Sequence, residues 1–388
     1  MATRVEMTSS ILRHVELSLG AHIRGYKRED RANNDSKYLI DVDDTSEPYV
    51  LALYEYGSPL DKASIVDRVV FFFTLQDIIV SQADVPNTIY PFPAFRAFSH
   101  HGVSTPYLDL VDESVIVVIN ERVKDHAGKS ENVQELIDRE PAALTPHLVH
   151  QAGEYLGIVH RFAIANGGRL PNSPTIDLLD IVSAQLSTYK SAIIRYNDSD
   201  IYDRFENEYR DLIRWRHPFH RAAGKRSCWC LLDYFPVNTI ATTRGFCFVD
   251  FGTAGSANPI QDLAMSIDAW CSRCDDPDME LVEQFLLGYF SQCDLGIPEP
   301  FLLYRLLRLS ILRWGVNRAV NRIAPPPWCI PSEPVQKLRK LSNWKMHERA
   351  FEAVLSAFTS KARGPGSKRA GNRPSHGPSK SKFSKTNR

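Results

Sequence analysis

Leu231-Leu-Asp-Tyr-Phe-Pro-Val-Asn238, and eight residues on Phe246-Cys-Phe-Val-Asp-Phe-Gly252, decide the reading of this chain. The first segment places an aspartate five positions before an asparagine in a stretch broken by proline. The second is an apolar run that ends in Asp250, followed by Phe-Gly. The pattern predicts two short strands, Leu231-Leu232 and Phe246–Asp250, joined by a loop that carries Asp233 and Asn238. Two carboxylates and an amide so spaced suit phosphoryl transfer, which asks little covalent help of a protein. It needs hard oxygen ligands for a metal and a carboxylate that orients a hydroxyl.

Upstream, Lys37–Val42, Tyr49–Glu55 and Ser114–Asn120 are short, β-branched or aromatic runs bounded by turn formers, and each predicts a strand. Between the second and third, Val66, Val69, Val70, Phe73 and Ile78 recur at helical spacing over Asp61–Gln82. Residues 1–123 thus read as a small sheet with one helix. After a linker near Lys124–Glu140, residues 124–360 read as mainly helical. Segments are expected at Thr145–Ala165, Pro174–Arg195, Asp203–Arg216, Met279–Cys293, Pro300–Ile323 and Glu333–Thr359. The fold class expected is α+β and bilobal.

Composition narrows the rest. Of the 388 residues, 43% are hydrophobic and 24% charged, with a formal net charge of +0, so nothing pulls the whole chain toward nucleic acid or membrane. Nine Lys or Arg and no acid lie in 361–388, which leaves the body acidic. That Gly-, Pro- and Ser-rich tail has too little apolar surface to order itself and is expected to be disordered. A nucleic-acid role would rest on it alone. No apolar run of membrane-spanning length occurs, and the N-terminus has no signal-peptide core. Seven scattered cysteines read as reduced thiols in a cytoplasmic protein, Cys271-x-x-Cys274 included.

The paired motifs, together with Phe251–Trp270, Gly288-Tyr289, Arg313–Arg318 and the strand Tyr49–Glu55, resemble the aminoglycoside phosphotransferase family, its homoserine kinase branch above all. The resemblance implies a protein-kinase-like fold that binds ATP and Mg²⁺ and phosphorylates a small hydroxylated metabolite such as a homoserine-like amino acid. On it, Asp233 would be the base or hydroxyl-orienting residue, and Asn238 and Asp250 would hold Mg²⁺. Ser36 and Lys37, in a covering hairpin at Arg31–Tyr38, would reach phosphate. Ile119-Asn120-Glu121-Arg122 would be the hinge that meets adenine, or else a plain strand end. His160 reads as a packed or capping histidine, and Asp262 as a brace for the catalytic loop. Without the resemblance, Asp233 is a turn residue and Asp262 a helix cap.

Three departures stand out. Leu231-Leu232 replaces the family's His-Gly or His-Ala before the aspartate, Ala52 occupies the usual phosphate-lysine position, and no G-x-G-x-x-G loop is present. They leave open a decayed, kinase-like nucleotide-binding or scaffold protein. Asp268, Asp275 and Asp276 are candidates to meet an acceptor ammonium.

Overall fold

The computed structural model describes residues 6–28, 36–43, 45–81, 92–100, 103–124, 129, 131–172, 176–196, 199–216, 227–243, 245–250, 252–295, 300–321 and 333–362. Residues 31–35 of the covering hairpin, Phe251, Cys329 and the tail beyond 362 lie outside them.

The N-terminal part is built on a five-stranded antiparallel sheet. Its strands are β1 (Ile23–Arg28), β2 (Ser36–Val42), β3 (Tyr49–Glu55), β6 (Leu108–Leu110) and β7 (Val115–Glu121), in the order β1-β2-β3-β7-β6. A separate short hairpin joins β4 (Phe98–His100) to β5 (Val103–Thr105). Strand β7 is buried from Val115 to Asn120 because both faces of the sheet are covered there.

One face packs Leu51, Leu53, Val117 and Ile119 against Ile11 and Val15 of α1 (Ser9–Leu19). Thr8 caps this helix at its start, and Gly20, at φ +64°, ends it in the left-handed conformation that suits glycine. The sequence pattern missed both α1 and β1, so the sheet carries two helices rather than one.

The other face packs Ile116 and Val118 against Ile65 and Val69 of α2 (Pro59–Ser81). Further along α2, Phe71, Phe72, Leu75, Ile78 and Ile79 turn into the core of the C-terminal part. Phe71 stacks on Trp229 with centroids 4.5 Å apart, and Phe72 lies 6.1 Å from Phe248. A helix with two partners needs more than one apolar stripe. Its buried set therefore differs from the single face expected from periodicity, and Phe73 is exposed.

The C-terminal part is mostly helical: α3 (Val133–Arg139), α4 (Pro146–Ala165), α5 (Leu178–Tyr196), α6 (Ser199–Ile213), α7 (Pro259–Trp270), α8 (Met279–Gln292), α9 (Pro300–Asn321), α10 (Glu333–Met346) and α11 (Glu348–Ala362). Helices α4 and α8 meet backbone to backbone. A Cβ on Gly153 would lie 2.0 Å from Phe285 O, and one on Gly288 would lie 2.0 Å from His150 O. Side-chain-free contact at both points fixes the two helices against each other.

The expected hairpin is drawn differently. Strand β8 (Cys228–Cys230) stops before Leu231 and pairs with β11 (Gly255–Ala257), while β9 (Thr239–Thr242) pairs with β10 (Gly245–Phe248). Leu231-Leu232 is no strand, because Leu232 has φ +58°. Among the described residues no helix is long and apolar enough to cross a membrane.

Candidate active site

The loop from Leu231 to Asn238 hangs from one buried carboxylate. Asp262, in the first turn of α7, accepts the Leu231 N–H at 2.8 Å on Oδ2 and the Leu232 N–H at 3.0 Å on Oδ1. Its Oδ2 also accepts from His160 Nε2 at 3.0 Å, and His160 Nδ1 accepts from the Tyr289 hydroxyl at 2.8 Å. The tautomer follows from the partners, since a carboxylate only accepts. His160, Cys230 and Asp262 lie within 4.8 Å of one another, the spacing of a metal site. His160 and Asp262 spend their hydrogen bonds on each other, Tyr289 and the loop, the Cys230 thiol donates to the Cys228 and Ala257 carbonyls, and burial pushes that thiol well up, away from the thiolate a metal would need. The cluster is a brace.

Leu232 holds the left-handed conformation that a glycine adopts freely and a leucine enters at a cost of about 1–2 kcal/mol. Both leucine side chains are fully buried, which stabilises by about 1.5–3 kcal/mol each and offsets that strain. The bulky pair therefore keeps the tight turn in front of Asp233.

Asp233 itself is 9% exposed, and its Oδ1 is buried with no hydrogen-bond partner among the described residues. Burial, and then the nearby charge of Asp250, raise its carboxyl to about 7, against the pull of Arg313, Asn238 and Arg318. Asn238 Nδ2 donates to the Asp233 carbonyl at 3.0 Å, and Val249 N donates to the Asn238 carbonyl at 2.9 Å, tying the loop to the strand that delivers Asp250. With its nitrogen turned inward, Asn238 keeps its side-chain oxygen as the free acceptor. Asp250 spends Oδ1 on the Gly252 N–H at 3.0 Å. An amide oxygen and two carboxylates that repel each other form a hard-oxygen set suited to a divalent cation.

On the sheet, register separates the two residues assigned to phosphate. Ser36 pairs with Leu53 on the α1 face and is buried there. Lys37 pairs with Ala52, which pairs with Val118, so it lies on the α2 face. The helix that packs on that face, α2, also reaches Phe248, two residues before Asp250. Asn120 shares that face, opposite Val50, and its Oδ1 is buried without a hydrogen-bond partner among the described residues. The neighbouring Glu121 N–H donates to Ala94 and the Ile119 carbonyl accepts from Arg96, both at 2.9 Å. Glu121 is exposed and Arg122 half-buried, so Asn120 is the buried polar side chain of this strand end.

Sequence reasoning gave α9 no role at the site, yet α9 supplies its far wall. Trp314 packs 5.4 Å from Phe235, with the Arg313 guanidinium 5.1 Å and that of Arg318 5.5 Å from its ring. Arg313 Nη1 lies 3.5 Å from the Leu232 carbonyl. The Arg-Trp-x-x-x-Arg spacing, which puts Trp314 and Arg318 one turn apart, was the available signal. The acids proposed for an ammonium are engaged elsewhere: Asp268 with Lys340 at 2.9 Å, Asp275 with Arg339 at 2.8 Å, and Asp276 with Asn343.

Residues 29–299 match the model of the phosphotransferase enzyme family, APH. The sequence matches none of the curated proteins compared with it. Among solved structures, a choline kinase from Cryptosporidium parvum Iowa II aligns at TM-score 0.56 and 11% identity over 86% of this chain and 92% of that one. An ethanolamine kinase from Plasmodium vivax aligns at 0.56 and 11%, over 88% and 92%. The amicoumacin kinase hAmiN, solved with AMP-PNP, Ca²⁺ and Ami, aligns at 0.59 and 12%, over 88% and 94%. At such identities the likeness is one of fold.

Proposed function

Because the chain belongs to the phosphotransferase enzyme family, we propose that it transfers the γ-phosphoryl group of ATP to a hydroxyl of a small molecule, a homoserine-like amino acid being the acceptor the motifs favour. The observation that carries this reading is the desolvated carboxylate of Asp233, its Oδ1 without a partner among the described residues, beside Asn238 and Asp250. Asp233 accepts a hydrogen bond from the acceptor hydroxyl, orients its oxygen toward phosphorus and takes its proton as the bond forms. Asn238 and Asp250 would hold Mg²⁺, which when bound neutralises phosphate charge and relieves the Asp233–Asp250 repulsion. Lys37, set across from Ala52, takes the phosphate contact that a lysine on β3 would make, Ser36 supports the strand from the covered face, and Asn120, Glu121 and Arg122 form the edge at which the base docks. His160 and Asp262 position the loop without touching substrate.

Mg²⁺·ATP should therefore raise the melting temperature of the wild-type protein, since a ligand that binds only the folded state stabilises it. Asp250→Asn should lose most of that rise while retaining its own fold. An equal rise in Asp250→Asn would remove Asp250 from the metal site.

A further inference from the structure

The α9 wall also bears on what the acceptor looks like. Arg313 has five N–H donors. Its contacts are the Leu232 carbonyl at 3.5 Å, long for a charged donor, the Met265 sulfur at 3.8 Å, and the Trp314 face. No ion pair ties it among the described residues, and its side chain is partly exposed at the loop that carries Asp233. Two acids act on it from a distance: Asp262, which is spent on two loop amides and His160, and Asp233, which faces the acceptor hydroxyl. A cationic acceptor placed between Asp233 and Trp314 would lie against a guanidinium that no ion pair holds, with Asp250 committed to the metal site. An oxyanion would meet a planar fork matched to its geometry, over an aromatic floor.

We propose that the acceptor carries an oxyanion, a carboxylate or a phosphate, in addition to its reacting hydroxyl, and that Arg313 binds it. This rests on Asp233 facing that hydroxyl. It sets the chain apart from kinases whose acceptors are amines or quaternary ammonium ions, and makes Arg313 the residue that selects for charge.

Three four-carbon alcohols that differ only at the far end test this: 4-hydroxybutyrate, 1,4-butanediol and 4-amino-1-butanol, with glycerol 3-phosphate as the phosphate arm. Binding to the full chain holding Mg²⁺ and a non-hydrolysable ATP analogue is measured by calorimetry, and ADP release is followed with ATP. An oxyanion arm should bind and turn over at least tenfold better than the diol, and the amine least well. Which oxyanion arm wins separates carboxylate from phosphate. Arg313→Gln should raise KM or Kd for that arm about tenfold or more beyond any change it makes to the diol, with Arg313→Lys intermediate. If Arg313 acts only through the loop or through Asp233, its loss weakens all four compounds alike, which overturns the proposal. So does an amine that binds as well as the acid, or no binding by either oxyanion. Selective oxyanion binding without ADP release upholds the anion site and refutes phosphoryl transfer. Should Arg313→Gln fail to fold, the wild-type ranking decides alone.

Discussion

At Asp233 stability and function oppose each other. The unfolded carboxyl titrates near 4, whereas burial and Asp250 raise the folded one to about 7. The folded state thus binds the proton more tightly, so the metal-free protein loses stability as pH climbs from about 4 to about 7 and then levels off. Asp233→Asn removes that loss. Without Mg²⁺ it should be more stable than wild type at pH 8 by about 4 kcal/mol at most, a few degrees in Tm, with the gap closing toward pH 4. Melting curves across pH check this, and a variant less stable at every pH would contradict the assigned cause. In activity, the acid limb of kcat/KM should lie near pH 7 at low metal and move lower as the cation offsets the carboxylate charge.

Among the elements, α4, α7 and α8 set the loop, and their contact depends on glycine. Gly288 lets α8 touch α4 next to Tyr289, whose hydroxyl reaches His160. Gly288→Ala must push two backbones apart by more than 1 Å, so it should cost about 3 kcal/mol or more and lower kcat through the displaced His160–Asp262 brace. Denaturant melts and steady-state rates measure both, and a silent substitution would show that the helices can slide. How much of this was legible beforehand varied by element. The Asp233, Asn238 and Asp250 spacing, the strands β2, β3 and β7 and most of the long helices were readable, since local periodicity and turn residues carry them, whereas the segment expected as one helix over Glu333–Thr359 breaks at His347 into α10 and α11. Helix α1 was not, because it is short and amphipathic next to a sheet face that only tertiary structure reveals. Helix α3 lies within the expected linker, started by an Asn132–Glu135 capping box. The strand expected at Leu231-Leu232 failed because Asp262, thirty residues away, claims both amides. Register was likewise invisible, and it alone separates Lys37 from Ser36.

For the whole molecule, α2 is the physical link, with one end on the sheet and the other in the helical core. The helical part is further locked by Glu208 of α6, Arg308 of α9 and Lys345 of α10, with Arg308 Nε donating to Glu208 at 2.7 Å. Across the α2 face, Lys37 and Ala52 occupy paired positions whose Cβ atoms lie about 5 Å apart, within the sweep of a lysine side chain. Lys37→Ala should weaken Mg²⁺·ATP about tenfold or more, and adding Ala52→Lys should restore most of it. Nucleotide titrations of the three variants would show this. Full affinity in Lys37→Ala would place the phosphates elsewhere.

The most direct measurement is acceptor-dependent ADP release from Mg²⁺·ATP by the wild-type chain and by Asp233→Asn over a panel of small alcohols. Turnover with at least one acceptor in the wild type, reduced by about 10²–10⁴-fold in Asp233→Asn while Mg²⁺·ATP still binds, is the expected result. Equal turnover by the two proteins, or Mg²⁺·ATP binding with no transfer to any acceptor, would contradict Asp233 as the residue that activates a hydroxyl.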